Sequence, residues 1–137
     1  MARCIRPATA TDRAALLIVA NVPAWDDVTI ADCVDYAELE ERIAAALRER
    51  GADLTTPTAV RVRGHASAVR MHVIAGACPI ANPQGPAPWR FVGPIDDLEL
   101  VGVFVDGAGG RFTHHDRRSH LHVVAPGKTG HLDDVAL

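Results

Sequence analysis

Between Val60 and Val73 the chain repeats every two residues: Val60 and Val62 alternate with Arg61 and Arg63, Gly64 breaks the run, and Val69, Met71 and Val73 alternate with Arg70 and His72. That period places apolar side chains on one face of a strand and polar ones on the other, a sorting that a helix of 3.6 residues per turn cannot make. The segment therefore reads as two strands or one bent strand, half-buried in an antiparallel sheet. Leu98 to Val105 is a near-continuous apolar run closed by the glycines from Gly107 to Gly110, which suits a central strand covered on both faces. The last element, Ser119 to Leu137, reads as a hairpin. Its turn is Ala125-Pro126-Gly127-Lys128, with Pro and Gly in the order of a type II turn.

One helix is expected among these strands. Asp35 is followed three residues later by Glu38, a capping-box-like start, and Leu39, Ile43 and Leu47 then recur at four-residue spacing until Gly51 supplies a stop. That makes an amphipathic helix of about thirteen residues, with Glu38, Arg42, Arg48 and Glu49 on a solvated face. The fold class is thus α+β, mainly an antiparallel β-sheet or open barrel with one helix. With no internal repeat and no dividing linker, residues 1–137 form a single domain. Ala14 to Ala20, apolar but too short to span a bilayer, is expected to be a buried strand with a bend after it. The Pro- and Gly-rich stretch from Cys78 to Gly93, with Trp89 and Phe91, is expected to be an irregular surface loop.

A formal net charge of −3 and the lack of any Lys/Arg run argue against binding to nucleic acid or to an anionic membrane. The expected partner is a small molecule or a copy of the chain itself, since several strands and a terminal hairpin leave edges or apolar faces to cover. Cys4, Cys33 and Cys78 are odd in number and share no metal-type spacing, which suits reduced thiols and a cytoplasmic location.

The histidines carry the functional signal. His120 and His122 are two apart on a strand, so their side chains leave one face about 6 to 7 Å apart at Cβ. If the hairpin is symmetric about Pro126-Gly127, His122 lies opposite His131 and His120 opposite Asp133. A slip of one residue would turn His131 to the other face. Three imidazoles on one face, with positions left for water or substrate, are the ligand set of a catalytic divalent metal, zinc first among them, rather than of a closed structural site. Ordinary strand histidines facing solvent are the alternative for the three. His114 and His115, among Asp116, Arg117 and Arg118, read as an exposed loop without a fixed role, although one of them could carry protons at a site mouth.

The stretch His120-Leu-His122-Val-Val, followed by Gly130-His131-Leu-Asp133-Asp134, resembles the end of the α-acetolactate decarboxylases, where a His-Leu-His strand and a Gly-Gly-His strand carry the zinc ligands. Asn21 to Leu47, with Val28-Thr29-Ile30, Tyr36 and Leu39, is similar to that family's strand-then-helix segment. Ala59 to Gly64 and Leu98 to Val103 are similar to two of its later strands. The third histidine comes two residues earlier than in the family, and Thr129-Gly130 stands for the Gly-Gly pair. With Gly64 aligned, the family's substrate-binding arginine falls on His72, and Arg70 is two residues away on the same strand face. Carboxylates that the family takes from its first β-region and from beyond the third histidine have no counterpart. The plant and prokaryote conserved domain, a small trimer-forming relative in fold, has a similar helix, His-x-His strand and Gly-His-Leu strand.

The resemblance implies an acetolactate decarboxylase-like fold, with Zn2+ or another divalent transition metal on His120, His122 and His131. It also implies a lyase acting on a small oxoacid or β-dicarbonyl compound. A metal chelated by adjacent carbonyl and hydroxyl or carboxylate oxygens can take up the electrons of a breaking C–C bond. Arg70 or His72 would then hold the anionic group or move the proton, and His72 could instead be a fourth ligand or a solvated strand residue. Two other readings remain open: a zinc-dependent hydrolase, and a non-catalytic metal- or ligand-binding module that works by self-assembly.

Overall fold

The computed structural model describes residues 9–11, 18–74 and 84–137. They form α1 (Tyr36–Glu49), β1 (Thr58–Val73), β2 (Trp89–Phe104), β3 (Ser119–Ala125) and β4 (Lys128–Ala136). The strands pair antiparallel in sequence order, and β4 pairs back onto β1, so the sheet closes into a four-stranded barrel. The class is α+β, as the alternating pattern implies, but the barrel is closed rather than open.

The helix starts and stops on the residues that cap it. Asp35 accepts a hydrogen bond from the backbone nitrogen of Glu38 (2.8 Å), and the Glu38 carboxylate accepts from Val34 N (3.0 Å). At the other end Gly51 has φ +71°, Gly51 N donates to Arg48 O and Ala52 N to Leu47 O. This is the double bond pattern that satisfies the last carbonyls of a helix. The hairpin turn likewise holds Gly127 at φ +70°, which a residue with a side chain would adopt at a cost.

β1 is one long strand, bent where its register with β2 shifts between Gly64, Ala66 and Val69. β2 begins nine residues before the apolar run, and this corrects the expectation of a loop up to Gly93. Trp89 to Gly93 pair with Val73 to Val69, and Pro94, which has no N–H to give, falls at the register shift where no pairing is required of it. Residues 78–83 of the expected loop lie outside the described residues. The expected buried strand at Ala14 to Ala20 is also corrected, since Ile18, Val19 and Ala20 are exposed and form no strand; residues 14–17 are not described. Val28 to Ile30 form no strand either.

One core joins the barrel interior to the helix. Val69, Met71, Leu100, Leu121, Val123, Leu132 and Val135 face inward from the strands, and Tyr36, Leu39, Ile43 and Ala44 come from α1. Each Val, Leu, Ile or Met among them contributes on the order of 1.5–3 kcal/mol on burial. Strand alternation then dictates what faces out: Arg70 and His72 flank Met71, His120 and His122 flank Leu121, and His131 and Asp133 flank Leu132. Cys33 is a free, buried thiol; Cys4 and Cys78 are not described. Among the described residues no helix is long and apolar enough to cross a membrane.

Candidate metal centre

A single row of opposed residues crosses the barrel's outer surface. Val101 on β2 faces His122 on β3, His122 faces His131 on β4, His131 faces His72 on β1, and His72 faces Arg90 on β2. Three imidazoles therefore stand on three consecutive strands, and His120 joins them two residues from His122. The ladder between β3 and β4 stops at the His122–His131 pair. His120 accordingly lies beside Val103 of β2, and Asp133, which a longer hairpin ladder would set opposite His120, hydrogen-bonds His72 instead.

Two glycines let these strands meet. A Cβ on Gly102 would overlap the carbonyl oxygen of His120, and one on Gly130 would lie 2.8 Å from the carbonyl oxygen of His72. The residues beside the histidines thus lack side chains because partner backbone fills the space.

The ligand atoms of His120, His122 and His131 all lie within 4.8 Å of one another. Nε2 of His120 is 3.1 Å from Nε2 of His122. Nδ1 of His120 is 2.8 Å from the carbonyl oxygen of Phe112, which fixes the proton on Nδ1 and turns the Nε2 lone pair toward the cluster. Burial, with the neighbouring His120, His114, His122 and His72 rings adding to it, brings the His131 imidazole down to about pH 3. His122 is also lowered, by burial and then by His120 and His72. Both rings are therefore neutral at pH 7, the form that binds a metal. A cluster of neutral nitrogen donors without a thiolate fits a borderline transition-metal ion such as zinc.

His72 sits against the triad, its ring centroid 5.1 Å from that of His131. Its Nδ1 lies 2.7 Å from Asp133 Oδ1, and Arg90 approaches the other oxygen of Asp133 at 3.7 Å. Arg70 is paired with Asp134 at 2.9 Å, and Asp134 in turn accepts from Tyr36 N at the start of α1. Its guanidinium remains exposed on the same strand face as His72. A groove of about 580 Å3 runs beside the cluster. It is lined by Ile18, Val22 and Trp25 of the segment before α1, by Val101 and Val124 of the barrel, and by His120 and His122.

Two participants escape sequence reading. His114 is not a bystander in an exposed loop: its Nε2 lies 2.9 Å from Nε2 of His131. No spacing rule carries a loop residue to a strand. Glu40 is buried, and its Oε1 accepts from Arg118 N (3.0 Å), Ser119 N (2.8 Å) and Ser119 Oγ (2.6 Å), which anchors the start of β3 just before His120. Its signal was present, since a glutamate beside Leu39 and one turn before Ala44 falls on the buried stripe. No family model, curated protein or solved structure matches this chain.

Proposed function

We propose that this protein is a divalent-metal lyase of the acetolactate decarboxylase-like group, with zinc the ion best suited to its donors and a small oxoacid or β-dicarbonyl compound as substrate. The observation that carries this reading is the convergence of His120, His122 and His131 directly beside the His72–Asp133 pair. The pairing of the His-Leu-His strand with the Gly-His strand, His122 opposite His131, supports the kinship.

An ion held there supplies Lewis acidity toward chelating carbonyl and hydroxyl or carboxylate oxygens. The protein's own groups do the rest. Asp133 holds His72 by Nδ1, so Nε2 is the nitrogen left to take or give a proton at the reacting carbon. Arg70 and Arg90 are the guanidinium groups on either side of His72, and they suit a carboxylate on the substrate. The apolar groove holds the substrate's carbon skeleton and limits water at the bond being broken.

The test combines elemental analysis with assay. Purified protein should carry one divalent ion per chain and should release CO2 or a cleaved fragment from a 2-hydroxy-3-oxoacid. His122→Ala and His131→Ala should each lower metal occupancy at least tenfold while circular dichroism stays unchanged, because the core does not depend on these outward side chains. Full metal content in both variants would overturn the assignment. Turnover of simple esters alone would make the protein a metal-dependent hydrolase.

A further inference from the structure

We infer that His114, carried on the loop between β2 and β3, is a fourth and displaceable ligand of the same centre; this rests on the metal reading above. The first support is distance. Nε2 of His114 is 2.9 Å from Nε2 of His131, and Nε2 of His120 is 3.1 Å from Nε2 of His122. Two nitrogens bound to one tetrahedral zinc stand about 3.3 Å apart, given Zn–N bonds of about 2.0–2.1 Å. The rings thus form two pairs, each close to ligand spacing, with the His114 and His131 centroids 4.8 Å apart. Only His120, His122 and His131 converge within 4.8 Å, and the His114 centroid is 6.4 Å from that of His120, so His114 completes the set by a small swing of its loop.

The second support is the build of the loop. Val105 N donates to Arg118 O, closing its base, and Gly110 N donates to Thr113 O. Thr113 Oγ1 donates to Arg117 O at 2.7 Å. His115 packs against Gly109 and Gly110 so closely that a Cβ on Gly110 would lie 2.7 Å from its ring, which leaves His114 as the member of the doublet that reaches the cluster. Phe112, two residues before His114, holds Nδ1 of His120 through its carbonyl oxygen. The loop therefore orients one strand ligand and delivers a ring to another.

The four ligands are not equivalent. His120, His122 and His131 are fixed by strand ladders, whereas His114 is exposed on a loop. Four imidazoles close a tetrahedral site. A substrate that chelates through two oxygens then takes the place of His114 and one further position, as a zinc centre expanding to five ligands allows, so the loop decides when the centre is open. A plain hydrogen bond between the two rings would explain the same distance, and the experiment separates the two.

Wild type, His114→Ala and His131→Ala are loaded with Co2+, and chelator competition and the visible absorption spectrum are measured. The expected result is loss of the ion from His131→Ala. His114→Ala should retain it with affinity about tenfold lower or more and with an altered spectrum that free imidazole restores. A His114→Ala protein with the wild-type affinity and spectrum would overturn the inference and leave His114 as a hydrogen-bond partner of His131, with the three-histidine centre intact. Equal, weak Co2+ binding by wild type and His131→Ala would instead overturn the metal reading, and this inference with it.

Discussion

Glu40 on the helix and Ser119 at the start of β3 are joined twice: one carboxylate oxygen accepts from both the backbone nitrogen and the hydroxyl of Ser119. Tyr36, whose phenol burial pushes up to about 12, lies 3.1 Å from the same hydroxyl. Glu40→Ala would leave the buried Ser119 nitrogen and the part-buried Arg118 nitrogen without their acceptor, with only Tyr36 left to the Ser119 hydroxyl. It should destabilise the fold by about 2 to 4 kcal/mol, read as a lower urea midpoint at unchanged slope. It should also weaken metal binding, because His120 follows Ser119 directly. Wild-type stability would show that water replaces the carboxylate.

Gly102 gives a prediction of the opposite kind, an added atom rather than a missing one. Since a Cβ there would overlap the carbonyl oxygen of His120, Gly102→Ala must push β2 and β3 apart. A loss of about 3 kcal/mol or more is expected, together with lower metal affinity. Gly64→Ala, where nothing lies within 4 Å of the added atom, is the control and should change little by comparison.

On the proposed reading, in which His72 held by Asp133 carries the proton, His72→Ala should spare the metal and abolish turnover. Asp133→Asn should lower kcat with a smaller effect on KM, as the ring loses its fixed tautomer. If His72→Ala lost the ion, His72 would be a ligand. If it kept both ion and activity, Arg70 and Arg90 would be the groups to examine for substrate contact.

Self-association is expected through exposed apolar side chains that do not line the groove, Ile74, Trp89 and Val92. Light scattering at tens of micromolar should give a mass above that of one chain, and a Val92→Lys protein should shift toward monomer. A strictly monomeric wild type would refute it.

What could be read from the sequence was local. Asp35, Glu38 and Gly51 act within a few residues of the helix ends they fix, and Pro126-Gly127 sets the hairpin register that brings His122 against His131. The remainder depends on partners far along the chain. Closure of the barrel needs β1 to find β4, which no periodicity announces. The first half of β2 was hidden by Pro86 and Pro88 before it and Pro94 within it, and only the register shift in β1 makes room for the last. His114 reaches the cluster through the folding of its loop on Gly109 and Gly110, a shape with no repeating pattern to detect.

The place of the histidine row has a consequence in time. His72 and Asp133 are 61 residues apart in sequence and meet on the strand pair that closes the barrel. Contacts of such separation form late, because a long loop must be ordered before they repay it. A nascent or partly folded chain that has made its helix and its β3–β4 hairpin already has the three histidines of the proposed metal centre, His120, His122 and His131, close together, but it lacks the His72–Asp133 pair. Ion capture could thus precede barrel closure while the proton-transfer pair arrives only with it. In a stopped-flow refolding experiment the two events would separate, with activity lagging behind metal uptake.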